Sequence, residues 1–310
     1  MSKVDESFLR AIVKDKAFAL LDSATRVWAY RAAGATIGEG VEIGEGSVFV
    51  ADDLEIGEHT IIGKRLDART RSIRIGAWCY TGNDIMVGGG GAWQPQAHIS
   101  IGNDCLISSD CQLNCGEGLT IGNHVGLSRG VEMYTHSFWQ SVLDGYKAQH
   151  APIVIENDVY LTGGVMITAG VTVGHGAVVL AHSVVVHDIE PRVIASGIPA
   201  VKISEVKPPT PEQRKAIIKR LVEQMNMPNV IFRECILYRD LFALNCIIVA
   251  MQTFGLDDDL HITPVFDMTR LHIYGKQTRE SDEVRNWFRR RGILFSPPWR
   301  YTHDKDVVAQ

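Results

Sequence analysis

Long apolar runs, clustered charge of one sign and paired cysteines are all missing from this 310-residue chain. The longest apolar stretch of note, residues 241–251, contains Asn245 and falls short of the roughly 20 residues a membrane-spanning helix needs. Residues 1–21 scatter Lys3, Asp5, Glu6, Arg10, Lys14 and Asp15 among apolar positions, unlike a secretory signal. A cytoplasmic protein without membrane insertion is the expectation. Lys+Arg number 31 against Asp+Glu 36, for a net charge of -5, and no long basic run appears. That balance lacks the cationic field with which proteins hold nucleic acid, so nucleic acid is not an expected partner. The six cysteines form no CxxC pair, which argues against a thiolate zinc site, and they read as reduced packing residues.

What the chain does have is a repeat. Ile-Gly recurs at Ile37-Gly38, Ile43-Gly44, Ile56-Gly57, Ile62-Gly63, Ile75-Gly76, Ile101-Gly102 and Ile121-Gly122, many of these separated by six residues or near multiples of six. The register continues as an apolar ladder through Ile155, Leu161, Ile167, Val173, Val179 and Val185. Six is neither a helical period nor simple strand alternation. It fits a short strand plus a turn, with the apolar residue turned into a narrow core and Gly or Asn at the corner taking backbone angles costly for other residues. Three such units close one triangular coil, and stacked coils satisfy one another's backbone groups. The fold class expected is mainly β: a parallel β-helix.

The segments from Ile153 to Leu161, from Gly170 to Gly174 and at Gly197-Ile198-Pro199-Ala200 resemble the hexapeptide-repeat acyltransferases, closest in look to the galactoside, maltose and surface-polysaccharide O-acetyltransferases. The resemblance covers roughly residues 34–203. It implies a left-handed helix, acetyl-CoA as co-substrate, a homotrimer and direct attack by an acceptor on the thioester.

Around the repeats, residues 1–33 are expected to form a helical cap, with apolar positions at helical spacing over 8–31. Residues 34–206 make the β-helix domain. Two stretches break the hexads, 88–98 with four consecutive glycines and the longer 134–152, and both should project as loops. Phe138, Trp139, Tyr146 and His150 in the second suit a sugar-facing wall, with packing of Phe138 and Trp139 on a neighbouring subunit as the other reading. Lys207-Pro208-Pro209-Thr210-Pro211 is a stiff linker, and residues 207–310 read as a small α+β unit of unassigned role. Helices are expected over 212–224 and 281–291, an apolar segment around 246–251, and strands over 270–274 and near Leu294. Arg285, Arg289, Arg290 and Arg291 read as a solvated helix end, with phosphate contact the sharper alternative.

Acyl transfer needs a base for the acceptor proton and a cleft that holds both substrates. His136 in Tyr134-Thr135-His136-Ser137 matches the Thr-His segment that carries the catalytic histidine in galactoside-type enzymes, so the resemblance makes it the general base. It makes Asn114 a group that orients acceptor or imidazole, although asparagine is also an ordinary corner residue; Asp110 and Glu132 compete as partners of His136. For acetyl-CoA the resemblance implies Gly163, Gly164, Ala181, His187 and Lys202, lining or closing a groove between subunits. Three departures stand out: His182 where glycine is common, His187 where lysine is usual, and Val201 before Lys202. No metal is expected. An O-acetylated sugar or polysaccharide precursor is the favoured acceptor, with an aminosugar or small xenobiotic amine as the alternative. Two other classes compete: a γ-carbonic-anhydrase-like metalloenzyme using histidines such as His98, His124, His182 and His187, and a non-catalytic scaffold.

Overall fold

The structure, a computed structural model, describes residues 17–237, 247–254, 264–268, 271–274, 278–290, 293 and 295. The chain divides between Lys207 and Pro208 into two compact units. In the first, three parallel sheets are wound one strand at a time. The first sheet runs from Thr36–Ile37 to Thr172–Val173, the second from Glu42–Ile43 through Val178–Val179, and the third from Val48–Val50 to Val184–Val185. Successive strands belong to successive sheets and each pairs with its counterpart one coil on, as Leu106 does with Gly126 and Leu113 with Met133. The parallel β-helix of the sequence reading is therefore present. All six members of the ladder from Ile155 to Val185 are fully buried, in one continuous core.

The glycines of the Ile-Gly pairs serve a purpose other than the one read from sequence. They do not occupy the left-handed corners; those fall two residues later, at Gly40, His59, Trp78, Asp104 and His124. Proximity explains the pairs instead. A Cβ on Gly63 would overlap the Gly82 carbonyl of the next coil, and one on Gly122 would lie 2.5 Å from Asn157 Oδ1. Asparagine also works as a partner rather than a turn former: Asn103, Asn123 and Asn157 each accept the corner N–H of the coil below, at 2.8, 2.7 and 2.8 Å. These bonds satisfy groups that the sheet ladders leave unpaired.

A solenoid end exposes backbone groups that have no neighbouring coil. Here Ile43 turns both its N–H and its carbonyl to the open end. Helix α1 (Ser23–Ala32) closes it with side chains. Ser23 Oγ accepts from Ile43 N at 2.8 Å, and Tyr30 Oη accepts from Phe49 N at 3.0 Å. The buried Arg26 donates to the carbonyls of Ile43, Gly44 and Ser47, and Arg31 to those of Ile37 and Gly38. The helix expected over 8–31 is thus shorter in the described residues: a 3-10 turn, Phe18–Leu20, stops at Leu21, and the Asp22 carboxylate starts α1 afresh by accepting from Thr25 N at 2.9 Å. Residues 8–16 lie outside the described residues. At the other end, strands Val193–Gly197 and Ala200–Glu205 form an antiparallel pair against the second sheet.

An acid–imidazole ladder climbs the first corner. His124 contacts Asp104 at 3.4 Å and Asp158 at 3.5 Å, and His175 meets Asp158 at 3.3 Å. The Asp104 carboxylate, helped by Asp158, holds His124 above the ordinary histidine value. Such a group stabilises the fold fully below the unfolded value of about 6.5 and loses that contribution as pH rises through its higher folded value. His124→Gln should therefore lower the thermal midpoint more at pH 6 than at pH 8.5; equal losses at both would remove the ladder's ionic role.

The second unit carries helix α2 (Pro211–Met225), a four-stranded sheet and helix α3 (Arg279–Arg289). Thr210 and Thr278 each close a capping box at the helix starts, with Gln213 and Ser281. Strands Val230–Leu237, Ile247–Phe254 and Val265–Asp267 are parallel and His272–Tyr274 is antiparallel, over a core that includes Ile218, Val222, Val249, Phe266 and Phe288. The expected helices and the apolar segment are met closely. Arg285 corrects the reading of a solvated helix end: it is buried, with Asp282 at 3.4 Å. Arg290 is exposed, and Leu294 and Arg291 lie outside the described residues.

Candidate active site

Both interruptions of the repeat leave the solenoid along one edge, where the third sheet turns into the first. Residues 88–97 follow Met86–Val87 and precede His98–Ile101; residues 134–152 follow Glu132–Met133 and precede Ile153–Ile155. Between them in the stack lies the tight corner 114–118. Winding alone brings these three segments together.

The second interruption is partly ordered by pairing with itself. His136–Ser137 and Gln149–His150 form a two-stranded antiparallel ribbon in which His136 faces His150. Their imidazoles stack, with centroids 5.9 Å apart and planes 11° apart, and Phe138 lies 5.6 Å from His136 and 5.3 Å from His150. His136 is half-buried. On its other side is the glycine-rich loop: a Cβ on Gly90 would sit 3.1 Å from His136 Nε2. The absence of a side chain at Gly90 leaves that nitrogen room.

Asn114 is buried and does not act on the imidazole directly. Its Nδ2 donates to Gly88 O and Gly90 O, each at 3.2 Å, while its Oδ1 accepts from Thr135 Oγ1 at 2.6 Å. One amide thus fastens the glycine loop to the residue preceding His136. The competing partners are occupied elsewhere. Asp110 accepts from Arg129 Nε at 2.6 Å, and Glu132 accepts from Tyr134 Oη at 2.8 Å. Burial, with Glu132 adding, pushes the Tyr134 phenol up to about 12, so it remains a neutral donor.

Sequence reasoning missed Glu117, and it read His150 as part of a sugar-facing wall and not as a neighbour of His136. Glu117 Oε1 meets His150 Nδ1 at 2.9 Å and its Oε2 accepts from Gln96 Nε2 at 2.7 Å. Those two hydrogen bonds, Gln96 first, hold its carboxyl below the usual range. The signals were available in outline: Glu117 lies in the corner Asn114-Cys115-Gly116-Glu117-Gly118, and His150 stands just before Pro152, where the hexads resume.

The residues expected to meet acetyl-CoA fall elsewhere. Gly163, Gly164 and Ala181 occupy the edge between the second and third sheets, across a sheet from His136. The His182 imidazole lies against Gly164, since a Cβ there would come within 2.6 Å of His182 Nδ1. His187 is exposed on the same edge as His136, near the end of the stack. Lys202 is exposed too and engaged by Glu205 and, at 3.4 Å, Glu190; these carboxylates, Glu205 foremost, raise its ammonium above the ordinary value. In the second loop Phe138, Trp139 and Tyr146 all stand exposed, Trp139 at 88 %, and Phe138 also packs on the two imidazoles. Among the described residues no group of three or more His, Cys, Asp or Glu side chains is placed to hold a metal ion, and no helix is long and apolar enough to cross a membrane.

No family model matches the chain. Individual relatives do. The galactoside O-acetyltransferase of Escherichia coli K12 is 30% identical over 127 residues, spanning 38% of this chain and 63% of that protein. A chloramphenicol acetyltransferase of Klebsiella aerogenes is 39% identical over 107 residues, 32% of this chain and 50% of the relative. The chain thus spans about half to just under two thirds of the length of the curated relatives it matches. Among solved structures, a hexapeptide-repeat acetyltransferase of Vibrio cholerae complexed with acetyl coenzyme A covers 66% of this chain and 86% of its own at 22% identity and a TM-score of 0.39. The first unit is thus a parallel β-helix whose sequence is similar, over part of its length, to acetyltransferases.

Proposed function

We propose that this protein transfers an acetyl group from acetyl-CoA to a hydroxyl of a saccharide acceptor, with His136 as general base. The observation that carries the reading is the convergence on one solenoid edge of His136, the Asn114 corner and both loops. The saccharide reading draws support from the galactoside relative.

His136 takes the acceptor proton as the acceptor oxygen attacks the thioester carbonyl carbon. The tetrahedral intermediate then collapses with cleavage of the C–S bond, and the departing thiolate takes up a proton. The Gly88 to Gly91 backbone, fastened by Asn114, shapes the approach to His136 Nε2. Trp139 and Tyr146 offer exposed aromatic faces on the same loop for a sugar ring.

Acetyl-CoA along Gly163, Gly164 and Ala181 would lie on a different edge from His136 of the same chain. A homotrimer that sets one copy's glycine edge beside the next copy's His136 completes the site. The exposed Leu106 and Tyr160 of the second sheet suit such packing. A thiol-release assay with acetyl-CoA over a panel of sugars and aminosugars tests the reading, with mass determined by light scattering. Release that needs a sugar, from a trimer, is the expected result. Release with an amine alone moves the reading to N-transfer, and none with any acyl-CoA ends it in favour of a scaffold.

A further inference from the structure

We infer that Glu117 and His150 form a positioning pair that holds the His136 ring at the loop edge; the inference rests on the acyl-transfer reading for its catalytic meaning. Among the described residues, His136 meets the rings of Phe138 and His150 and the Gly90 backbone; the Glu117 carboxylate is near enough to act on it by charge but is not hydrogen-bonded to its imidazole. A lone ring on a two-stranded ribbon has freedom about its side-chain torsions, and a proton acceptor must be fixed to be efficient. Orientation here comes through a second ring.

Glu117 is where the three segments of the edge are joined. Its backbone N–H donates to Thr135 Oγ1 at 3.2 Å, and the Thr135 hydroxyl in turn donates to Asn114. One carboxylate oxygen accepts from Gln96 of the glycine loop, and the other binds His150 Nδ1 at the far end of the ribbon. His98 is tied to the same cluster through Gln96 O, at 2.8 Å. A carboxylate bound at Nδ1 fixes both the position and the roll of the His150 ring. That ring lies nearly parallel to His136, and Phe138 packs against both. The chain of support therefore runs from a corner of the rigid solenoid, through Glu117, to His150 and on to His136. Because the last link is a stacked face and not a hydrogen bond, both His136 nitrogens stay available to substrates.

The test compares His150→Ala with His150→Phe, which keeps a ring over His136, and Glu117→Ala with Glu117→Gln, which keeps an acceptor for His150 Nδ1–H. The first readout needs no activity: the rate at which diethyl pyrocarbonate modifies His136 in the full chain, followed by peptide mass spectrometry, with folding checked by thermal melts. Both alanine variants should modify His136 several-fold faster than wild type, and Phe and Gln should each reverse most of that rise. In the thiol-release assay the alanine variants should lose about tenfold in kcat with KM for acetyl-CoA unchanged. An unaltered modification rate in folded His150→Ala and Glu117→Ala would overturn the pairing, as would equal behaviour of His150→Phe and His150→Ala. If wild type releases no thiol with any acceptor, the acyl-transfer reading fails, while the modification rates still decide whether the pair holds the ring.

Discussion

His136→Ala should lower acceptor-dependent thiol release by about a hundred- to ten-thousandfold, the range that loss of a general base produces. The loss should fall on kcat, with KM for acetyl-CoA little changed, because the proton is taken only as the acceptor oxygen attacks. The fold should remain intact. His136 is half-buried on a ribbon outside the solenoid core, so its removal leaves no cavity among Leu127, Met133 and Ile167. Wild-type and variant melts within a few degrees would establish that the kinetic loss is local. A folded variant retaining a third or more of the wild-type rate would remove His136 from the chemistry.

The second large effect is structural and lies at the other end of the domain. Arg26→Ala should destabilise the β-helix by about 3 kcal/mol or more, since the carbonyls of Ile43, Gly44 and Ser47 lose their donors where water has poor access. Arg26→Lys should recover only a part, because an ammonium on a single stem cannot reproduce the planar fork that spans three carbonyls. Chemical denaturation of the full chain measures both. A loss under 1 kcal/mol for Arg26→Ala would show that the open coil does not depend on this cap.

The core of the fold was legible from its period. A residue such as Leu161 is apolar because its position recurs every six residues, and the structure buries it fully. The role of the Ile-Gly glycines was not legible: the need for a bare Cα at Gly63 comes from Gly82, one coil away, and not from any local angle. The capping arginines escaped notice for a similar reason. In sequence Arg26 is simply a charge on an amphipathic helix; its burial follows from carbonyls 17 to 21 residues later.

At the candidate site, the resemblance singled out His136, and the break in the repeat put it where a loop leaves the rigid scaffold. The contacts around it depend on which broken coils share an edge. Glu117 and His150 are 33 residues apart, and only the winding number between them makes them neighbours. Asn114 was singled out by resemblance, but its contacts are with Gly88, Gly90 and Thr135, a fastening that no spacing reveals.

The stacking geometry also bears on how freely such a site can change. Corner partners are commonly 19 or 20 residues apart in sequence, and 34 apart where the second interruption intervenes. Closing the longer loop costs only about 0.5 kcal/mol more chain entropy, by the logarithmic dependence on length. Lengthening or shortening the segment between Ser137 and Gln149 is therefore nearly neutral for folding, while it redraws the surface that meets the acceptor. A coil that ejects its extra residues at one edge separates the inheritance of stability from that of specificity.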